Sequence, residues 1–267
     1  MDISYLYEFP IWVTALLIVV ILIAAMGVGY EVGKRRRHAS TTCDATEGSD
    51  VALASVLALL GLMLAFTYSF TLSRHDARRQ AIIDEANAIG TAFLRADLAP
   101  EPHRSELRKI LRDYAQTRTV TTDEAATMDG LRRAFERTLQ AQSLIWPTTK
   151  RMVKAQVAGP IEATIVQSIN EVLDMHSQRL AAIFDRLPAV VFALMVFIAA
   201  IALFLTGFHA GRQGSLSRWR LALLGVVLAA VITVITDFDR PAAGLVRVSH
   251  RPIVDLIRDM DATLQSK

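Results

Sequence analysis

Four stretches of the chain carry no charged side chain, and their lengths govern how the rest is read. Phe9 to Tyr30, Val51 to Leu72 and Pro188 to Phe208 are 21 or 22 residues long. At about 1.5 Å per residue each matches the roughly 30 Å hydrocarbon core of a bilayer. They predict membrane-spanning helices at 9–30, 51–72 and 188–208. The fourth stretch, Leu221 to Thr236, has 16 residues, about 24 Å of helix. Trp219 can anchor it and Arg218 and Arg220 can snorkel, so a short fourth span at 219–236 is expected. Trp12 and Tyr30 are placed as interfacial anchors of the first span. Its apolar run lacks the basic start and small-residue cleavage site of a secretory signal, so it is read as retained.

Between spans two and three the pattern changes to the 3.6-residue period of helices in water. Arg74, His75, Asp76, Arg78 and Arg79 follow the second span with no Gly or Pro to stop it. One helix is therefore expected to run on, burying Ile82, Ala86, Ile89 and Phe93. After Pro100 and Pro102, a second puts Leu107, Ile110, Leu111 and Tyr114 on one face. Thr121 and Glu124 have capping-box spacing ahead of a third, with Met128, Leu131, Phe135 and Leu139 inward and an end at Trp146-Pro147. A last helix, broken near Gly159-Pro160, carries Ile161, Ile165, Ile169, Val172, His176, Leu180, Ile183 and Leu187 into span three. The fold class is all-α: four transmembrane helices with a helical extramembrane domain inserted between spans two and three. The divisions are a first transmembrane pair (1–72), the inserted domain (73–187), a second pair (188–236) and a C-terminal tail (237–267), amphipathic from Ile253 to Leu264.

Composition agrees. Of 267 residues, 52% are hydrophobic, more than a water-soluble domain of this length needs. The net charge of +3 comes from scattered basic residues, which argues against nucleic acid as a partner. Cys43 stands alone, so no intrachain disulfide forms. Residues 73–187 hold 17 Lys and Arg against 15 Asp and Glu, a balanced, solvated surface. An even number of spans puts both termini and the inserted domain on one side. The short connections hold Lys34, Arg35, Arg36, Arg37, Arg212, Arg218 and Arg220, and the positive-inside rule assigns them to the cytoplasm. Arg74, Arg78, Arg79, Arg179, Arg186, Arg240, Arg247 and Arg251 also lie near span ends and weigh on the other side.

The sequence contains no H-E-x-x-H, G-x-S-x-G or G-x-x-x-x-G-K-[ST] pattern, so no catalytic residues are assigned and no enzyme is expected. Cofactors and metals are not expected either. Glu171 and His176 are five apart and point to different helix faces, and His176 lies on an apolar stripe, as a buried, hydrogen-bonded histidine would. The second span is more informative. Leu62, Phe66 and Phe70 lie at i, i+4 and i+8, one stripe that fits packing against other spans or lipid. In a ring of subunits the same stripe would line a pore as stacked apolar constrictions. Arg74, Arg78 and Arg79 would then form a basic pore exit that gathers anions; snorkelling at the interface is the other reading. Asp84, Glu85, Asn87 and Arg95 lie within the extension helix, whose acidic residues are expected to form structural ion pairs with Arg104, Arg108 and Arg112 of the next helix. Asp237, Asp239 and Arg240 either line a vestibule or cap the end of span four.

Some of these residues resemble a known family. Leu59 to Ser69 running into Arg74-His75-Asp76-Ala77-Arg78-Arg79, then Glu85 to Thr91, resembles the bestrophin-like domain family of bacterial integral membrane proteins. So do Pro100 to Arg104, Leu107-Arg108 with Tyr114, and Asp239 to Gly244. The resemblance covers nearly the whole chain in order and implies a multi-pass protein of a bacterial inner membrane. A more distant likeness to bestrophins, pentameric anion channels whose pore is lined by the second span, rests on the junction of an apolar span with a short basic segment holding an Asp. It implies a homo-oligomer, pentameric, in contact with lipid and passing small anions, with a cytoplasmic domain, the opposite of the charge count. Ala77-Arg78-Arg79 stands where bestrophins usually carry an aromatic pair, and no acidic calcium clasp is evident. The alternative function is a non-conducting membrane sensor or scaffold whose helical domain binds a protein partner.

Overall fold

The computed structural model describes residues 10–39, 47–119, 124, 128–155, 159–214, 218–240, 246 and 248–265. Thr121 of the expected capping box and Cys43 lie outside them. The helices are α1 (Ile11–Ala39), α2 (Glu47–Ala96), α3 (His103–Thr117), α4 (Met128–Lys154), α5 (Gly159–Phe184), α6 (Ala189–Gln213), α7 (Arg218–Asp239) and α8 (Arg251–Gln265). The described residues contain no strand. Among the described residues four helices are long and apolar enough to cross a membrane, as the uncharged runs require. The chain divides into two compact units, the first made of 1–73, 186–240 and 244–246, the second of 74–185, 241–243 and 247–267. The boundary falls inside α2, which is unbroken there because Arg74 to Arg79 are helix formers with no Gly or Pro among them.

The first unit contains α1, the start of α2, α6 and α7. Its core joins Ile18 and Leu22 of α1, Leu60 of α2, Met195, Ala199 and Leu203 of α6, and Ala229, Ile232 and Ile235 of α7. The tightest packing is between α1 and α6. A Cβ at Gly29 or Gly33 would overlap the carbonyl oxygens of Phe204 and Phe208, and one at Gly207 or Gly211 those of Met26 and Tyr30. Two small-x-x-x-small motifs, Gly29/Gly33 and Gly207/Gly211, thus bring two backbones together. Numbers rise together along both helices, so α1 and α6 run parallel, as first and third crossings must. The close partner of span one is therefore span three, where adjacency in sequence had pointed to span two. The reason is the glycines, which α2 lacks on a matching face.

The second unit packs the rest of α2 with α3, α4, α5 and α8. Ile82, Ile89 and Phe93 of α2, Leu107, Leu111 and Tyr114 of α3, Ile145 and Met152 of α4, Ile165, Ile169 and Val172 of α5, and Ile253 and Met260 of α8 form its core. The expected inward stripes of α2 and α3 are found, and the amphipathic tail supplies α8 to the same core. In α4 the inward face differs from expectation. Phe135 and Leu139 are 40% and 42% exposed while Ala134, Thr138, Ile145, Thr148, Thr149 and Met152 are buried; the side chains of Met128 and Leu131 are outside the description. Small residues carry this face, so counting large apolar residues picks the wrong one. Pro147 does not end α4 either, which continues to Lys154. Only one helical bond is lost at a proline. The residue four back, Ser143, is solvent-exposed, and buried Thr148, Thr149 and Met152 hold the following turn in the core.

The helix expected to feed span three stops short of it. α5 ends at Phe184 and α6 starts at Ala189, because proline at 188 disfavours the helical conformation for the residue before it.

Candidate functional site

On α2 the residues from Val51 to Ser73 divide into two faces. Leu60, Thr67 and Thr71 are buried, and the two hydroxyls are satisfied within the helix, Thr67 donating to the Met63 carbonyl at 2.8 Å and Thr71 to that of Tyr68 at 2.9 Å. Most of the remaining positions are exposed, and Leu62, Phe66 and Phe70, about a third of a turn from the buried side, are 55%, 58% and 63% exposed. An isolated chain therefore presents an uncharged, aromatic face that nothing in the first unit covers.

Within the second unit, the arginines that follow are not equivalent. Arg74 Nε donates to Asp185 Oδ2 at 3.1 Å. Arg78 is buried; its Nε donates to the Ala182 carbonyl at 3.1 Å and its Nη2 to that of Asp185 at 2.8 Å. It thus satisfies carbonyls left over at the C-terminal end of α5, where a cation is favoured. Arg79 is exposed.

Asp237, Asp239 and Arg240 are buried in the first unit. Asp239 accepts the Leu187 N–H on both oxygens, at 2.9 and 3.1 Å, so a carboxylate sits just before the N-terminus of α6, where the helix dipole favours it. Arg240 Nη2 donates to Thr14 Oγ1 at 3.0 Å, and Asp237 accepts the Val246 N–H at 3.0 Å. These residues fasten the end of α7 to the starts of α1 and α6.

A further cluster of buried charge lies inside the second unit, assembled by no local spacing in the sequence. Glu85 of α2, fully buried, has Arg118 Nε 2.6 Å from Oε1 and Arg179 Nη1 2.6 Å from Oε2. The Tyr114 hydroxyl also donates to Oε1 at 2.9 Å, and His176 Nδ1 lies 3.1 Å from the Tyr114 oxygen. Tyr114 spends its one proton on Glu85, so His176 Nδ1 must carry the hydrogen of that second bond. Arg179 Nη2 reaches the Arg118 carbonyl and His250 Nδ1, both at 3.3 Å. Burial, with Glu85 beside it, raises the Tyr114 phenol far above its usual range. Burial and the nearby Arg118 lower His176 to about 4, and burial with Arg179 lowers His250. The expected partners of Glu85 are corrected here: Arg108 pairs with Asp97, Arg112 with Asp261 and Arg104 with Glu101. The true partners lie 33 and 94 positions along the chain, beyond any local spacing rule. His176 is a buried, hydrogen-bonded histidine as its stripe implied. Among the described residues no group of three or more His, Cys, Asp or Glu side chains is placed to hold a metal ion.

With this geometry the comparisons take their meaning. The bestrophin-like domain model matches residues 12–253. A crystal structure of a bacterial bestrophin homologue from Klebsiella pneumoniae, a tryptophan-to-alanine variant, is similar with a TM-score of 0.64 at 13% identity, covering 96% of each chain. A membrane protein crystallised as a proline-to-alanine variant gives 0.63 at 14% identity, over 94% of this chain and 97% of that one. Another gives 0.61 at 12%, over 92% and 95%. At such identities the likeness is one of fold. Among curated proteins none matches the chain.

Proposed function

The chain belongs to the bestrophin-like family, and on that premise we propose that several copies close around a shared axis lined by α2 and conduct small anions. The carrying observation is the aromatic face of Leu62, Phe66 and Phe70, uncharged and uncovered in the single chain. A four-span protomer is too small to enclose a conduit alone, so conduction requires a ring, and the resemblance to bestrophins favours five copies. In such a ring the stripe forms apolar constrictions that gate by dewetting. Arg79, with Arg74 and Arg78 behind it, supplies a basic exit that raises the local anion concentration. Arg78 contributes its charge from a buried position. Asp237, Asp239 and Arg240 would shape a vestibule by fixing the ends of α1, α6 and α7. The role is transport rather than catalysis, in the inner membrane of a bacterium.

Purified protein in liposomes should pass chloride, and Phe66→Ala or Phe70→Ala should change the rate several-fold. A mass measurement of the solubilised assembly should return a closed ring. Flux no greater than that of empty liposomes, together with a monomer or dimer by mass, would replace this reading with that of a membrane-anchored sensor or scaffold.

A further inference from the structure

We propose that the second unit contains a binding site for one small, singly charged, weakly hydrated anion, in the cavity beside Arg118 and Arg179. The site lies wholly within the second unit and does not depend on whether the chain conducts. Its volume is about 140 Å³ and its lining includes Arg118, Thr138, Arg179, Phe135, Leu180 and Ile183.

The first argument is charge. Two buried guanidinium groups share a single carboxylate, Glu85, while Tyr114 keeps its proton and the two histidines stay neutral. The cluster therefore holds one uncompensated positive charge, and a buried charge without a partner is costly.

The second argument is hydrogen bonding. Arg118 Nε is close to Glu85 but is buried without the alignment of a hydrogen bond. The guanidinium carbon also lies 5.8 Å from the Tyr114 ring centroid. Arg179, by contrast, spends its donors on Glu85, the Arg118 carbonyl and His250. An acceptor is thus missing at Arg118, on the wall of a cavity. The Thr138 hydroxyl, also on this wall, turns its one proton toward the carbonyls of Thr117 and Ala134.

The third argument selects the class of anion. One excess charge calls for one negative charge, and a second would be left unpaired. Phe135, Leu180 and Ile183 offer no hydrogen bonds, so an anion that gives up its water reluctantly, such as sulfate or phosphate, is disfavoured. A halide or nitrate fits the volume and the apolar wall.

The test uses the full chain in detergent or nanodiscs. Bromide and nitrate are titrated against gluconate at constant ionic strength while thermal unfolding is followed. Wild type should show a saturable rise in Tm, about 3–6 °C at tenfold excess over Kd. Arg118→Gln removes the excess charge, and Ile183→Phe fills the cavity while leaving every charge in place; each should abolish the saturable rise. Should one variant fail to fold, the other decides. Crystals grown in bromide should show an anomalous peak within hydrogen-bonding reach of Arg118. No saturable rise in wild type, or equal rises in wild type and the folded variants, would overturn the assignment whatever the liposome experiment returns.

Discussion

In the first unit the closest contacts are made by backbone on backbone, with Gly29 and Gly33 of α1 set against Phe204 and Phe208 of α6, and Gly207 and Gly211 against Met26 and Tyr30. In the second unit the interior is filled by Tyr114, Leu107, Ile169, Met152 and their neighbours around a buried ionic cluster. The difference follows from the solvent each unit meets. Lipid tails are as apolar as leucine, so helices in a bilayer gain little by hiding leucine from them and adhere instead through close approach and van der Waals contact. A unit in water is driven together by removing large apolar side chains from solvent. It can then tolerate a buried carboxylate, provided that carboxylate is fully paired.

The sharpest way to break this comparison is to add bulk to the glycine seam. Gly211→Leu places a side chain where the carbonyl oxygen of Tyr30 stands, and a backbone atom within a helix cannot step aside as a flexible side chain can. The expected outcome is loss of monodisperse protein on size exclusion, the largest effect of any substitution considered. Gly27→Leu is the control, because a Cβ there meets nothing within 4 Å; it should leave the elution profile unchanged. If the two variants behave alike, the seam is not what joins α1 to α6.

The next effect belongs to the other unit. Glu85→Gln keeps the shape of the side chain and removes the one carboxylate that Arg118 and Arg179 share. Breaking a buried pair by removing one partner costs about 3–5 kcal/mol, which for a chain of this size lowers Tm by roughly 10 °C. Asp255→Asn is the comparison, since it removes the partner of Arg258 where the two side chains are 65% and 78% exposed; an exposed pair contributes far less. Equal shifts for the two variants would mean that burial of the cluster is immaterial.

The same contrast explains what could be read from the residues alone. The spans were legible because the bilayer imposes a length and a ban on charge, and both are properties of consecutive residues. The partnership of α1 with α6 was not read from the sequence: adjacency points to span two, and although Gly29 with Gly33 and Gly207 with Gly211 stand four apart, nothing local says which helix meets which. The inward faces of α2 and α3 followed from large apolar residues at helical spacing. The face of α4 did not, since it is carried by Ala134, Thr138 and Thr149, whose size and polarity give no hydrophobic signal. Glu85 was visible only as one charge on a helix. Its role depends on three elements folding together, with Arg118 just past α3 and Arg179 near the end of α5. The stripe of Leu62, Phe66 and Phe70 is legible in the sequence as a spacing and in the structure as exposure.

The smallest of the three effects tests whether the buried cluster is a single electrostatic unit. His176 is neutral in the fold, lowered to about 4 by burial and by Arg118, whereas in the unfolded chain it takes a proton near its ordinary value of about 6.5. Between these values the unfolded chain binds more protons than the folded one, so stability rises with pH across that window. The contribution is complete above about pH 6.5 and is lost as pH falls toward 4, on the order of 3 kcal/mol in all. His250, lowered by burial and by Arg179, acts in the same direction. His176→Gln does not titrate, and its amide can still donate to the Tyr114 oxygen that the imidazole now serves. Thermal unfolding followed from pH 7 to pH 4.5 should fall less steeply for this variant than for wild type. Were the two curves parallel, the imidazole would have to be charged or solvated in the folded chain, and Arg118 and Arg179 could not both lie beside it.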